Sequence, residues 1–360
     1  VGSEMCIRDR LFYALRSAGS RSLGEWLDGR LRDRESPYAA LAERGGEDPA
    51  LEAAARRDIE TFTLLAELDW DQVLAEVGGK APREYGPVLA NLPRWRGSSP
   101  FSFAELTEFY RANGAGLFAR HRAFLWEDGA LCPVEQPDCP GADEMLGYEL
   151  QRNRVIANTR AMLEGNLVNN VLLYGDSGTG KSATVKNLLT LPGFEALRLI
   201  EVQKEGLADL PRLIRTLGGR RLKFILFIDD LAFDQDDKTY SALKTILEGG
   251  LERRPANVAV YATSNRRRLV RQTFSDRAGD EVDASETIQE KTSLSDRFGL
   301  RIPYLALNQA EFLELVEGMA EQAGIALDRD SLRAEAVKWE MRNPGRTPRT
   351  AKQFIASLSL

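Results

Sequence analysis

The octapeptide GDSGTGKS, Gly175 to Ser182, places glycines, a lysine and a serine at the spacing G-x-x-x-x-G-K-[ST]. Glycines so spaced let the backbone turn until successive N–H groups point at one centre, an arrangement suited to phosphate oxygens. Lys181 is placed to reach the β- and γ-phosphates of a nucleotide, and the Ser182 hydroxyl to coordinate Mg²⁺. Gly175, Asp176, Ser177, Gly178, Thr179, Gly180, Lys181, Ser182 and Ala183 are therefore the candidate nucleotide contacts. The competing reading is an ordinary glycine-rich turn. The apolar NVLLY before the motif and the helix-like SATVKNLL after it favour the nucleotide site, because the motif acts only between a strand and a helix.

Two further segments carry polar groups at the ends of apolar runs. FILFIDD ends in Asp229 and Asp230. The first is positioned to hold the Mg²⁺ shell, and the second to orient an attacking water. ATSN ends in Asn265, an amide suited to a γ-phosphate or to that water. Taken alone, each is also an ordinary strand-ending turn. SLSDRFGL puts Arg297 just before another apolar run, with a salt bridge to Asp296 or Asp230 as its plainest role. The basic run Arg266 to Arg268 reads as a solvated turn.

These residues need a scaffold, and the pattern supplies one. Apolar, unalternated runs occur at 170–174, 197–202, 223–228, 257–262 and 300–305. Such runs suit strands buried on both faces, and helical segments lie between them. The expectation is a five-stranded parallel sheet with helices on both sides. After Leu305 the chain reads as helical. Asn308 caps a helix with Glu311 three residues on, and Phe312, Leu315, Val316 and Met319 share one face. A second helix covers 330–342. A third starts at Thr347-Pro348 and buries Ala351, Phe354, Ile355 and Leu358.

The four segments LLYGDSGTGKS, FILFIDD, ATSN and SLSDRFGL, with GRTPRTAKQF, together resemble the Walker A, Walker B, sensor-1, arginine-finger and sensor-2 elements of AAA+ ATPases. The likeness runs from about residue 146 to the end. It is similar most of all to a bacterial AAA+ family known as a domain of unknown function, which shares the Asp-Asp ending and the polar stretch before LSDRFGL. The resemblance implies a P-loop sheet of order 5-1-4-3-2, ATP and Mg²⁺ as ligands, and hydrolysis to ADP and phosphate. It implies a homo-oligomeric ring in which Arg297 reaches the γ-phosphate of a neighbouring chain in trans, a role that suits a fixed, bidentate guanidinium. It also implies a lid arginine contacting phosphate in cis. Arg349 takes that position, with Arg346 as the competitor. Asp230 departs from the glutamate usual at its position. Being one methylene shorter, it leaves open a slow-hydrolysing switch or loader acting on a protein or DNA partner, beside a motor that remodels a client. The segment QKEGLADLPRL lacks the aromatic of a threading pore loop.

The chain has 360 residues, 43% hydrophobic and 28% charged, with a net charge of -6. That balance fits globular domains and disfavours a protein that coats nucleic acid. The Asn-Lys-x-Asp signature of guanine recognition is absent, so adenine is the expected base. Three cysteines, no membrane-length apolar run and no signal-peptide pattern give a cytoplasmic protein as the expectation. Residues 1–10 read as a non-native tail. Residues 11–145 read as a mostly α-helical N-terminal domain without assignable chemistry, 146–305 as the αβα ATPase domain, and 306–360 as a helical lid. His121 reads as a packed or surface residue, and Cys132 and Cys139 as free thiols in a loop, too few for zinc. The polar stretch 274–293 reads as a long mobile loop.

Overall fold

The computed structural model describes residues 14, 17, 19–20, 22–67, 70–80, 102–233, 243–244, 246–247, 254–265, 294–343 and 345–358. The expected tail at 1–10, the run Arg266 to Arg268 and the loop 274–293 lie outside these residues. The chain divides into two compact units, Val1–Arg120 and His121–Leu360.

The first unit is helical: α1 (Leu23–Asp33), α2 (Pro37–Arg44), α3 (Pro49–Ala66), α4 (Trp70–Lys80), α5 (Phe103–Asn113) and the single turn α6 (Leu117–Arg120). Local sequence sets the starts. Ser22, Ser36 and Asp48 each accept from a backbone N–H of the first turn, and Pro37 and Pro49 follow two of them at the first helical position. Ser102 and Glu105 form a reciprocal capping box on α5. Tyr38, Ala42, Ile59, Leu106 and Tyr110 build the core between these helices.

The second unit contains a sheet of seven strands among the described residues: β1 (Ala123–Glu127), β2 (Ala130–Pro133), β3 (Val171–Gly175), β4 (Leu197–Val202), β5 (Lys223–Ile228), β6 (Val258–Ser264) and β7 (Leu300–Tyr304). Their order is β2-β1-β4-β5-β6-β3-β7. The expected sheet of five parallel strands is therefore corrected to a mixed sheet of seven, within which the five expected strands stand as β4-β5-β6-β3-β7, the order 5-1-4-3-2 read from the other edge. All five apolar runs do form strands, and β3 pairs in parallel with β6 and β7, as β5 does with β4 and β6.

The two additional strands come from the segment expected to be helical. β1 pairs in parallel with β4, with Phe124 opposite Ile200, and β2 pairs antiparallel with β1. The physical reason is edge protection. Without β1, strand β4 would expose a row of unpaired backbone groups. The hairpin turns at Asp128-Gly129, both with positive φ (+50° and +73°), and Asp-Gly between apolar runs is a strong hairpin signal.

Strands β4, β5 and β6 are almost wholly buried, which is why their sequences do not alternate. α7 (Glu149–Leu163), α8 (Lys181–Asn187) and α9 (Leu210–Leu217) connect or cover the strands. Val155, Met162, Val185, Leu188 and Phe194 pack on Leu173, Leu199, Phe227 and Tyr261 in one core. Three helices follow: α10 (Gln309–Gln322), α11 (Arg329–Arg342) and α12 (Pro348–Leu358). Asn308 and Glu311 form the expected capping box. Phe312, Leu315, Val316 and Met319 meet Leu332, Ala351, Phe354 and Ile355 in a core separate from that of the sheet. Cys132 and Cys139 are free thiols. Among the described residues no helix is long and apolar enough to cross a membrane.

Candidate nucleotide-binding site

β3, β5 and β6 run parallel, so their carboxyl ends share one edge of the sheet. Gly175 ends β3, Asp229 follows β5 and Asn265 follows β6. The loop from Gly175 to α8 is shaped by its glycines. A Cβ on Gly175 would stand 2.1 Å from the Tyr304 carbonyl oxygen, so no other residue fits there. The Asp176 N–H donates to that same oxygen at 2.9 Å. Gly178 and Gly180 take φ of +79° and +91°, a region that L side chains avoid. Thr179 Oγ1 donates to the Asp176 carbonyl at 2.8 Å and closes the turn.

Lys181 is buried, with 6% of its surface exposed. Its ammonium donates to Gly175 O at 3.0 Å, Asp176 O at 2.6 Å and Asn265 Oδ1 at 3.0 Å. All three acceptors are neutral oxygens, weaker partners for an ammonium than a charged phosphate oxygen. Burial lowers the pKa of Lys181, while the carboxylates of Asp176, Asp230 and Asp229 draw it back up.

The Ser182 hydroxyl donates to Asp229 Oδ1 at 2.6 Å. Asn265 bridges the cluster: its Oδ1 accepts from Lys181 and its Nδ2 donates to Asp230 Oδ1 at 2.7 Å. Asp230 has φ of +49°. Thus Lys181, Ser182, Asp229, Asp230 and Asn265, far apart in sequence, meet in one hydrogen-bonded cluster.

Ser182 and Asp229 offer a hydroxyl and a carboxylate, hard oxygen donors within contact of each other. That set suits Mg²⁺, which keeps several waters and takes its other ligands from substrate phosphates. Among the described residues no group of three or more His, Cys, Asp or Glu side chains is placed to hold a metal by itself. The donors therefore fit an ion that arrives with a nucleotide.

A cleft of about 790 Å³ opens over this cluster. The loop from Ser177 to Ala183, Asp229, Asp230 and Asn265 line one side, and Met319, Arg349 and Lys352 of the C-terminal helices another. Gly175 and Asp176 lie behind that lining. They hold the loop to β7 rather than face the cleft, and Asp176 Oδ2 accepts from the Ala306 N–H at 2.7 Å.

The two candidate lid arginines separate clearly. Arg349 Nη1 donates to Ser177 Oγ at 3.3 Å, and its backbone N–H donates to Gly178 O at 3.2 Å. Arg346 instead pairs with Glu340 at 2.6 Å. Arg297 is half-buried ahead of β7 and is not among the residues lining its own chain's cleft. Asp296 pairs with Arg301 at 2.5 Å, and Asp230 accepts from Asn265 at 2.7 Å.

Tyr148, Arg152 and Thr263 are among the lining residues that sequence reasoning missed. The first two sit at the start of α7, outside any motif. Tyr148 stacks on Tyr304 at 5.1 Å, and its hydroxyl donates to Leu305 O at 2.6 Å. Thr263 lies within ATSN, and its position beside Asp229 follows from the β5–β6 register.

No curated protein matches the chain. Among solved structures, the RuvB Holliday junction branch migration motor of Thermotoga maritima is similar at 17% identity with a TM-score of 0.39, over 61% of this chain and 63% of that one. The Aeropyrum pernix ORC1 protein in complex with DNA is similar at 18% identity with a TM-score of 0.42, over 60% of each chain. The match thus spans less than two thirds of either protein. Both TM-scores are low, and the reading of the site rests on its own geometry. A family model described as "Protein of unknown function (DUF815)" matches residues 119–359, more than half of the chain, and the chain belongs to that family.

Proposed function

We propose that the chain binds ATP with Mg²⁺ and hydrolyses it to ADP and phosphate, and that it couples turnover to remodelling of a protein or DNA client. The observation that carries this reading is the single cluster of Lys181, Ser182, Asp229, Asp230 and Asn265 under a glycine-shaped loop. In this reading the loop N–H groups and Lys181 hold the β- and γ-phosphates. Bound Mg²⁺, held by Ser182 and by Asp229 directly or through water, draws charge from the phosphate oxygens. Asp230 accepts the proton of the attacking water, and Asn265 holds that carboxylate and the lysine in register. Arg349 joins the lid to the loop and reports the state of the phosphates. Arg297 serves the cleft of a neighbouring chain in a homo-oligomeric ring, which agrees with its place away from its own cleft. The client is recognised elsewhere on the chain, the helical first unit being the available surface.

A second reading is a slow ATP-dependent switch or loader. The contact between Asn265 and the short Asp230 carboxylate favours it, because the water-orienting oxygen is already engaged. Turnover decides between the two. Purified protein with Mg²⁺ and ATP should release phosphate at a specific rate that rises with protein concentration. Asp230→Asn should bind ATP as before and lose roughly a hundredfold or more in rate. An unchanged rate removes Asp230 from the chemistry. Tight ATP binding without turnover selects the switch.

A further inference from the structure

We propose that Thr263 is a positioning residue for the metal-binding carboxylate of Asp229 and for the turn that presents Asp230. The inference rests on the ATPase reading and names a residue that this reading leaves unused.

Thr263 is 1% exposed. Its hydroxyl has one hydrogen to give, and that hydrogen goes to Asp229 Oδ1. The hydroxyl oxygen itself, Thr263 Oγ1, accepts from the Asp230 N–H at 2.9 Å. Both directions are forced, since a carboxylate only accepts and an N–H only donates. The Thr263 carbonyl then accepts from the Leu231 N–H at 2.7 Å. One residue of β6 therefore grips three consecutive residues after β5. The ladder explains why: Ile228 pairs with Ala262, so the next position on each strand sets Asp229 beside Thr263.

This grip matters because Asp230 lies at φ +49°, a conformation that a non-glycine residue keeps only where its surroundings hold it. Ser182 donates to the same Asp229 oxygen at 2.6 Å. A hydroxyl that gives its hydrogen to Asp229 keeps lone pairs for an ion, so Ser182 can do both. Thr263 holds the same Asp229 oxygen from the β6 side and is the buried side chain that fixes the carboxylate's rotamer. Valine copies the shape of threonine and removes only the hydroxyl, whereas serine keeps it.

The test uses the full chain and a fluorescent ATP analogue, titrated with Mg²⁺ and also measured in EDTA, with thermal melting in parallel. Thr263→Val should need about tenfold more Mg²⁺ for half-maximal tight binding, the scale of one lost hydrogen bond to a charged group. Its binding in EDTA should match that of the unaltered chain, and Thr263→Ser should restore the Mg²⁺ requirement. A merely structural role would lower the melting temperature and weaken both kinds of binding together. An unchanged Mg²⁺ requirement in Thr263→Val, or Thr263→Ser behaving like it, overturns the proposal. If the valine variant does not fold, Thr263→Cys, a weak donor of similar size, is read in its place against the same outcomes. If the unaltered chain binds no nucleotide in either condition, the ATPase reading fails and the role of Thr263 falls with it.

Discussion

Two clusters of charge in the second unit use similar groups to opposite ends. Among the C-terminal helices, Glu317 of α10 faces Arg329 at 2.9 Å and also pairs with Arg333 of α11. Two cations there share one carboxylate at the surface, and each of the three has a partner. At the sheet edge, one buried lysine faces Asp176, Asp229 and Asp230. Acids and cations alike line the cleft around it, Asp138, Glu144, Asp229 and Asp230 with Arg152, Lys181, Arg349 and Lys352. The first cluster is complete in itself and ties two helices. The second leaves its lysine on neutral oxygens and its carboxylates beside an open cleft, where phosphate and a divalent ion would find complementary partners. A closed ion pair contributes to stability, and only modestly when solvated. A partly buried cluster of charges that lines a cleft points to a ligand.

The sharpest test of this contrast reaches beyond one chain. Arg297→Ala should leave ATP binding intact and cut turnover by about a thousandfold, the scale of a lost arginine finger. Mixing it with Lys181→Ala, which keeps its finger but not its nucleotide, should restore part of the activity. Full activity of Arg297→Ala alone would return that residue to the class of surface charges.

The lid arginines come next in size. Arg349→Ala should weaken ATP binding about tenfold by equilibrium titration, because Arg349 already touches Ser177 of the glycine-rich loop. Arg346→Ala should leave binding within about twofold, since its partner is Glu340. The reverse ranking would move the cis contact to Arg346.

The smallest effect belongs to the lid pair. Arg329 and Arg333 hold the Glu317 carboxyl at about 2, below its ordinary 4.5. A carboxyl with a depressed folded pKa contributes stability above the unfolded value, and that contribution is lost as pH falls through the folded one. The window is therefore about pH 4.5 down to about 2. Glu317→Gln should lower the melting temperature at neutral pH by no more than a few degrees and flatten its fall across that window. ATP binding at neutral pH should not change. Loss of binding would mean that the lid cluster is part of the site.

Much of this was legible because the signals are local. The glycine-lysine-serine spacing, the Asp-Asp ending and the Asn308 cap each depend on neighbours in sequence. The buried strands were readable from unbroken apolar runs such as FILFI. The hairpin at Asp128-Gly129 was overlooked, although its turn pair is a known signal, because its short strands lie within a helical stretch. Thr263 was not legible as a positioning residue. Its partners are set by the register of two strands, which no single segment encodes. Arg349 was preferred to Arg346 on position alone, and the start of α12 sets Arg349 against Ser177 while Arg346 pairs with Glu340. Tyr148 and Arg152 belong to no motif and reach the cleft only through tertiary packing.

The central claim is that the loop at Gly175 to Ser182 holds a nucleotide through Lys181. The most direct measurement is calorimetric titration of the intact chain with Mg²⁺ and ATP, beside Lys181→Ala. The account predicts saturable binding, one nucleotide per chain, weakened roughly a hundredfold or more in the variant while its melting temperature without nucleotide stays close to that of the unaltered chain. Equal binding by a well-folded Lys181→Ala chain would contradict it.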